Sequence, residues 1–172
     1  MLTRGDLDTA EQASILKALT KPKWQRITVA GLLDDLALRA LHRDMFGDVW
    51  TWAGRYRSSE RNIGVAPEQV ATGVRDLVAD AGLWLAVGRH YGLHEAAVRF
   101  HHRLVAIHPF ANGNGRHARA ATDLILRARS ALPFSWGARD SHDIAAVRSR
   151  YIAALRAADA GDITQLMEFV TS

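Results

Sequence analysis

The 172-residue chain has no cysteine, so disulfide bonds and thiolate metal sites are excluded. It also lacks an apolar run long enough to cross a bilayer, and residues 1–6 do not begin a signal peptide. No repeat, low-complexity tract or linker interrupts it. We therefore expect one soluble, cytoplasmic domain over residues 1–172, with no membrane partner.

Lysine is scarce, because only Lys17, Lys21 and Lys23 contribute to the 22 basic residues and the rest are arginines. The net charge of +4 and the isoelectric point near 10 are compatible with nucleic-acid binding. The arginines, however, are spread along the chain and form no basic arm. We expect no dedicated nucleic-acid binding, since a basic helical DNA- or RNA-binding protein rests on the isoelectric point alone.

Apolar residues recur at helical spacing over most of the chain, which predicts an all-α fold. Asp34 or Asp35 is suited to cap one helix and Ser141 another. Residues 57–66 are polar and contain turn-forming residues, so this segment is predicted as either a short β-hairpin or a loop. The predicted helices cover residues 9–19, about 35–46, about 67–87, 93–107, about 115–129, about 142–160 and about 163–170.

The run Asn112-Gly113-Asn114-Gly115 lies between two predicted helices and is permissive for left-handed backbone. Its consecutive N–H groups can converge into a concave nest for an anion, and the following helix directs its positive end into the same loop. Arg116 and Arg119 are one helical turn apart and carry planar forks suited to phosphate oxygens. The run therefore favours a polyphosphate site, with simple helix capping as the alternative.

A histidine directly precedes this nest. Pro109 disfavours helical geometry at His108, so the preceding helix should end there and present the imidazole to the nest. Histidine is the side chain best suited to accept a proton near neutral pH. We therefore predict that His108 deprotonates a hydroxyl as it attacks a bound phosphate, while the nest stabilises charge on the phosphate oxygens.

The motif resembles the Fic (Fic/Doc) signature, His-x-Phe-x-Asp/Glu-Gly-Asn-Gly-Arg-x-x-Arg. The resemblance extends outwards to Trp52-Ala-Gly-Arg-Tyr-Arg57 and to Tyr151–Asp162, and it covers roughly residues 30–170. It implies a helical core over residues 31–170 behind an N-terminal helical extension, 1–30. Among subgroups, the chain most resembles the mobile mystery protein B type, including its segment Phe100–Leu104. The matching motif positions are His108, Phe110, Gly113, Asn114, Gly115, Arg116 and Arg119.

The resemblance implies transfer of AMP from ATP to a Ser, Thr or Tyr hydroxyl of a target protein, although some members transfer phosphate, UMP or phosphocholine. His108 would be the general base and Phe110 a buried structural plug. Gly113, Asn114 and Gly115 would hold the phosphates, and Arg116 and Arg119 would bind the polyphosphate tail. Residues 57–66 would be a hairpin flap that pairs with extended target backbone, with Ile63 as a contact.

Asn112 stands where the family has the carboxylate that holds a magnesium ion. A neutral amide is a weaker ligand for magnesium than a carboxylate is. We therefore expect weakened magnesium binding, and a Fic-fold protein with weak or altered activity, or with binding only, is the alternative function.

Many family members also carry an inhibitory Ser/Thr-x-x-x-Glu-Gly/Asn helix, whose glutamate pairs with the second arginine of the motif. Only Thr164-x-x-x-Glu168 fits its first part, and Phe169 then breaks the pattern. The sequence therefore predicts no self-inhibition, and an antitoxin-like partner, as in toxin–antitoxin modules, is the expected source of any inhibition.

Overall fold

The computed structural model describes residues 4–86, 91–139 and 143–172. Within these ranges the regular structure is helical and contains no strand, which confirms the predicted all-α class. The helices are α1 (Arg4–Leu19), α2 (Pro22–Gln25), α3 (Val29–Leu32), α4 (Asp35–Phe46), α5 (Val70–Trp84), α6 (Leu93–Ile107), α7 (Asn114–Ala128), α8 (Ile144–Asp159) and α9 (Thr164–Thr171), with a 3₁₀ turn at Pro67–Gln69 before α5.

Short polar side chains start several of these helices. The Asp34 carboxylate accepts a hydrogen bond from the Ala37 N–H at 2.9 Å, so the predicted cap of α4 is confirmed. At α8 the cap is Asp143, whose carboxylate accepts from two backbone N–H groups of the first turn. The predicted cap Ser141 lies outside the described residues.

Helices α6 and α7 pack against each other at the centre of the fold and are joined by residues 108–113. Helix α5 packs on α6, α4 packs on α7, and α1 packs on α4, whereas α8 and α9 pack together on the other side. Consecutive alanines of α6, Ala96 and Ala97, enter two different apolar clusters, one towards α4 and α5 and one towards α8 and α9. The loop that joins α6 and α7 is therefore attached to a pair of helices that is packed on both sides.

One predicted helix boundary and the predicted hairpin are wrong. Helix α1 already includes Arg4, five residues before the predicted start at Thr9, and it packs on α4 as part of the helical body. The hairpin predicted near residues 57–66 does not form, because these residues make bends without cross-strand pairing. Within the described part of the chain, no helix is long and apolar enough to span a bilayer.

Candidate active site

The loop between α6 and α7 begins with a strained residue. Helix α6 ends at Ile107, as predicted, and His108 adopts left-handed backbone, with φ 54° and ψ 58°. A non-glycine residue rarely takes this conformation, which costs on the order of 1–3 kcal/mol and persists only where the surroundings enforce it. The turn swings the imidazole away from the helix and onto the wall of a cleft.

The loop ends at a glycine that no other residue can replace without strain. Gly113 has φ 78° and forms the N-cap of α7, and an added Cβ would lie 2.6 Å from the Phe46 ring. No side chain caps this helix. The N–H groups of its first turn, residues 114–116, have no helical partner, and these residues line the cleft, which is the arrangement that an anion nest requires.

The middle of the loop is held by a reciprocal amide pair. The Asn114 side chain accepts from the Phe110 N–H and donates to the Phe110 carbonyl, each at 2.8 Å. Phe110 is buried, as predicted for a structural plug. Because the Asn114 side chain is buried and fully engaged, only its backbone N–H can contact a phosphate, so the side chain braces the loop.

The position expected to hold magnesium does not fit that ion. The Asn112 side-chain oxygen accepts a hydrogen bond from the Gly113 N–H at 2.8 Å, and the amide carries no charge. Among the described residues, no cluster of three or more His, Asp or Glu side chains could hold a metal ion. A protein-held magnesium ion therefore lacks both its carboxylate and a free amide oxygen.

The imidazole of His108 is set up to accept a proton. Its burial, followed by the nearby Arg57 charge, lowers the pKa of His108 below the usual histidine value of 6.5. Its Nδ1 is buried without a close partner, so the Val105 carbonyl favours the protonated ring only weakly. At neutral pH the ring is thus neutral, so one of its two nitrogens carries no proton.

Arg57 is a functional residue that the sequence reasoning missed. Its buried guanidinium donates to the His108 carbonyl at 2.7 Å, and to the Ser59, Val65 and Ile107 carbonyls. A cation at a helix C-terminus is favourable, because the last carbonyls carry partial negative charge. Arg57 therefore ties residues 57–65 to the end of α6 and fixes the left-handed turn.

The segment 57–66 is closely packed against His108. An added Cβ on Gly64 would lie 2.6 Å from the His108 Cβ, which leaves room for glycine only. The Arg57 N–H donates to the Pro109 carbonyl at 2.9 Å, and the Val65 N–H donates to the Ile107 carbonyl at 3.3 Å. Between these anchors Ile63 is 60% exposed, where it can meet another molecule.

The two arginines of α7 both line the cleft, as their spacing predicted, but their surroundings differ. The Arg119 guanidinium lies over the Tyr151 ring at 4.4 Å, and its Nε is buried without a hydrogen-bond partner. The Tyr151 hydroxyl is in turn hydrogen-bonded to the buried His101 at 2.9 Å. Arg119 is therefore held by stacking, and its charge has no carboxylate partner in the salt bridges of the described residues.

Arg116, by contrast, is paired with an acid of the N-terminal helix. Its guanidinium forms a salt bridge with Glu11, whose side chain is 3% exposed. The other Glu11 oxygen accepts from the Trp50 indole N–H at 2.5 Å. This salt bridge was not expected from the sequence, in which self-inhibition is unsupported. The inhibitory pattern did not reveal Glu11, because Leu7 and Gln12 stand where it requires Ser/Thr and Gly/Asn.

His108, residues 111–116 and Arg119 face one cleft of about 740 Å³. Its floor is the open N-terminus of α7, one wall carries Glu11 and Trp50, and another is a face of α8 with Ile144, Val147 and Tyr151. Fixed positive charge on the floor and apolar or aromatic surface on one wall suit a ligand with a phosphate end and a planar apolar end. Fold and site together define an all-α protein with a neutral histidine beside an open helix N-terminus that carries two arginines.

A model of the Fic/DOC family matches residues 32–126, and the chain belongs to that family. Protein adenylyltransferase fic-1 of Caenorhabditis elegans is 30% identical over 145 residues, which are 80% of this chain and 26% of that protein. Protein adenylyltransferase Fic of Nematostella vectensis is 31% identical over 154 residues, 86% of this chain and 32% of that protein. The chain thus spans about a third or less of the length of these curated relatives.

Solved structures of the family have the same fold. Fic-1 of C. elegans superposes with a TM-score of 0.75 and 25% identity, and the match covers 99% of this chain and 50% of that one. The BepC protein of Bartonella tribocorum, solved with bound AMPPNP, superposes with a TM-score of 0.72 at 14% identity, over 99% and 87% of the two chains. The second likeness supports the fold alone.

Proposed function

We propose that this chain is a protein adenylyltransferase that transfers AMP from ATP to a Ser, Thr or Tyr hydroxyl of a target protein. The observation that carries the proposal is a neutral imidazole, His108, at the edge of an open helix N-terminus. Beside it stand two arginines suited to phosphate, Arg116 and Arg119. The names of the curated relatives support the same activity.

The cleft suggests how ATP would be oriented. The phosphates would meet the N–H groups of Gly113, Asn114 and Gly115 and the two arginines. The adenine ring would lie on the wall of α8, where Ile144 and Val147 give it apolar surface. In this pose the α-phosphate lies nearest to the imidazole.

The reaction would be an in-line displacement at the α-phosphorus. The target hydroxyl oxygen forms the new P–O bond, its proton passes to the unprotonated ring nitrogen of His108, and the bond to the β-phosphate breaks to release pyrophosphate. The N–H groups of the nest stabilise the charge that develops on the α-phosphate oxygens. Because the donor set does not fit magnesium, no step is assigned to a metal ion.

The segment 57–66 would present the target hydroxyl. Arg57 and Gly64 hold its two ends against His108, while Ile63 is exposed between them. An extended target segment could add to this edge by main-chain hydrogen bonds, with Ile63 as a side-chain contact.

The Glu11 carboxylate forms a salt bridge with the Arg116 guanidinium. The carboxylate would compete with the polyphosphate of ATP for this guanidinium, so α1 would restrain the enzyme until it moves. We propose this internal restraint beside, and not in place of, an antitoxin-like partner of a toxin–antitoxin module. Such a partner would fit the mobile mystery protein B subgroup, to which we assign the chain within the family.

A second candidate is a Fic-fold protein with weak or altered activity, or with binding only, favoured by the neutral Asn112 and by Glu11 on Arg116. Incubating the chain with ATP labelled at the α- or γ-position, in extracts that contain candidate targets, separates the two. Label from the α-position that disappears in His108→Ala is expected for AMP transfer, and label from γ alone would indicate phosphate transfer. If no nucleotide gives label that depends on His108, that result would favour the binding function.

A further inference from the structure

A buried histidine of α4 forms a hydrogen bond with the loop that carries the nest. His42 is 0% exposed, and its Nε2 lies 3.0 Å from the Asn112 carbonyl oxygen. Its Nδ1 lies 3.0 Å from the Gly54 N–H. The ring stacks on Phe110 with centroids 3.8 Å apart. His42 therefore connects the turn at Gly54 with the loop at Asn112.

These two partners define the tautomer of His42. The Gly54 N–H can only donate, so Nδ1 must accept and carries no proton. The Asn112 carbonyl can only accept, so the ring proton must be on Nε2. Protonation of Nδ1 would set two N–H groups against each other in a buried place, and burial accordingly lowers the pKa of His42 to about 4. The neutral ring therefore accepts from the Gly54 N–H at Nδ1 and donates to the Asn112 carbonyl from Nε2.

The hydrogen bond to Asn112 has a consequence on the cleft side. In a planar trans peptide the C=O and the next N–H point in opposite directions. With the Asn112 oxygen drawn into the core by His42, the Gly113 N–H must point outwards, where Gly113 lines the cleft. In this structure the Gly113 N–H donates to the Asn112 side-chain oxygen. That oxygen is uncharged, so an anion could replace it as the acceptor.

We propose that His42 is a positioning residue for the anion nest, which fixes the Asn112–Gly113 peptide with its N–H towards the phosphate. The proposal rests on the proposed function to the extent that the nest binds phosphate. His42 contacts neither the ligand nor the reacting atoms, and it acts through one backbone carbonyl.

Two substitutions separate the two hydrogen bonds of His42. His42→Asn keeps an acceptor at the place of Nδ1 but loses the donor to Asn112. His42→Gln keeps a donor at the place of Nε2 but loses the acceptor for Gly54. His117→Asn is the matched control, because the His117 ring is equally buried and also contacts Phe110, with centroids 5.0 Å apart, but its Nε2–H donates to the Leu38 carbonyl of α4 and not to the loop.

The first measurement is calorimetric titration of inorganic tripolyphosphate into the full chain carrying Glu11→Gln, which frees Arg116. His42→Asn is expected to weaken binding by about tenfold, as for the loss of one buried charge-assisted contact. His42→Gln and His117→Asn are expected to stay within about threefold of the parent. Equal weakening by His42→Asn and His117→Asn would overturn the proposal, since both would then act through general stability.

The second measurement is independent of any ligand. In the ¹⁵N-labelled native chain, His42 must show the Nε2–H tautomer, and His42→Asn must shift the Gly113 amide resonance further than His117→Asn does. A native Nδ1–H tautomer overturns the proposal even if His42→Asn does not fold. If the parent binds no tripolyphosphate, the assignment of the anion site fails, whereas the Gly113 resonance still decides the role of His42.

Discussion

The sharpest prediction concerns the salt bridge between Glu11 and Arg116, which joins residues more than one hundred positions apart. Glu11→Gln keeps the length of the side chain and an oxygen that can accept from the Trp50 indole, but it removes the negative charge from Arg116. We expect this variant to bind ATP more tightly than the native chain, because Arg116 no longer has to leave a partner.

The size of the effect follows from the exposure of the two side chains. Hydrogen bonds to charged groups contribute about 1.5–3 kcal/mol when they are protected from water. The Glu11 side chain is 3% exposed, whereas Arg116 is 38% exposed, so solvent screens part of the attraction. We therefore expect a gain of about 1–2 kcal/mol in ATP binding, which is roughly fivefold to thirtyfold in affinity.

Isothermal titration of ATP into the native chain, Glu11→Gln and Asp8→Asn measures this gain. Asp8→Asn is the matched control, since it removes the same charge one turn earlier in α1, also on the cleft wall, without taking a carboxylate from Arg116. Thermal unfolding of each variant without ligand checks that α1 remains folded on α4.

The reasoning would be refuted if Glu11→Gln and Asp8→Asn improved ATP binding equally, because the effect would then be one of net charge. It would also be refuted if Glu11→Gln bound ATP within twofold of the native chain. A gain confined to Glu11→Gln and abolished by Arg116→Ala would establish that the carboxylate competes with the ligand for one guanidinium.

Asn112→Asp should make ATP binding stronger with magnesium than without it, because a carboxylate replaces an amide that is bonded to the backbone; equal calorimetric affinities with and without the metal would contradict this. Gly113→Ala should lower the free energy of unfolding by about 1–3 kcal/mol in a urea titration, since its Cβ meets the Phe46 ring and its φ is 78°; an unchanged midpoint would contradict the strained geometry. The pKa values of the fully buried His101 and His117 are lowered to about 3, so their neutral forms stabilise the fold fully above pH 6.5. That stability should be lost as pH falls towards 3, at up to about 1.4 kcal/mol per pH unit for each residue, and urea titrations between pH 7.5 and 4.5 should show a smaller slope in His117→Asn.

Local patterns predicted the backbone geometry of residues 108–119 well, because neighbours in sequence determine it. Pro109 ends α6 before His108, and the glycines open the N-terminus of α7, so the order of histidine, open helix end and arginines could be derived from one contiguous run. The spacing of Arg116 and Arg119 correctly placed both on the cleft. Each of these results depends on backbone geometry over fewer than about ten residues, which sequence specifies directly.

The parts that were not predicted depend on long-range contacts. Glu11 reaches the site only because α1 packs on α4, and no periodic feature of α1 distinguishes Glu11 from the other acids of that helix, Asp6 and Asp8. The predicted hairpin at residues 57–66 does not form, for a related reason. The polar groups expected to pair across two strands are satisfied instead by Arg57, whose guanidinium collects carbonyls from residues 59 and 65 and from the end of α6.

The site has a rigid loop and one salt bridge that can change its partner. The left-handed turn at His108 would relax if it were held by one contact, but Arg57 binds its carbonyl, and Asn114 fixes Phe110 two residues further on. The two Asn114 bonds are buried and the Arg57 bond is partly buried, so breaking them would leave desolvated polar groups without a partner. The salt bridge of Glu11, in contrast, ends on a guanidinium that is 38% exposed and can exchange its partner for a phosphate, whereas the Glu11 side chain is 3% exposed, so its carboxylate would be left as an unpaired buried charge unless α1 moved. Control of the site should therefore come from movement of α1 and not from rearrangement of the loop.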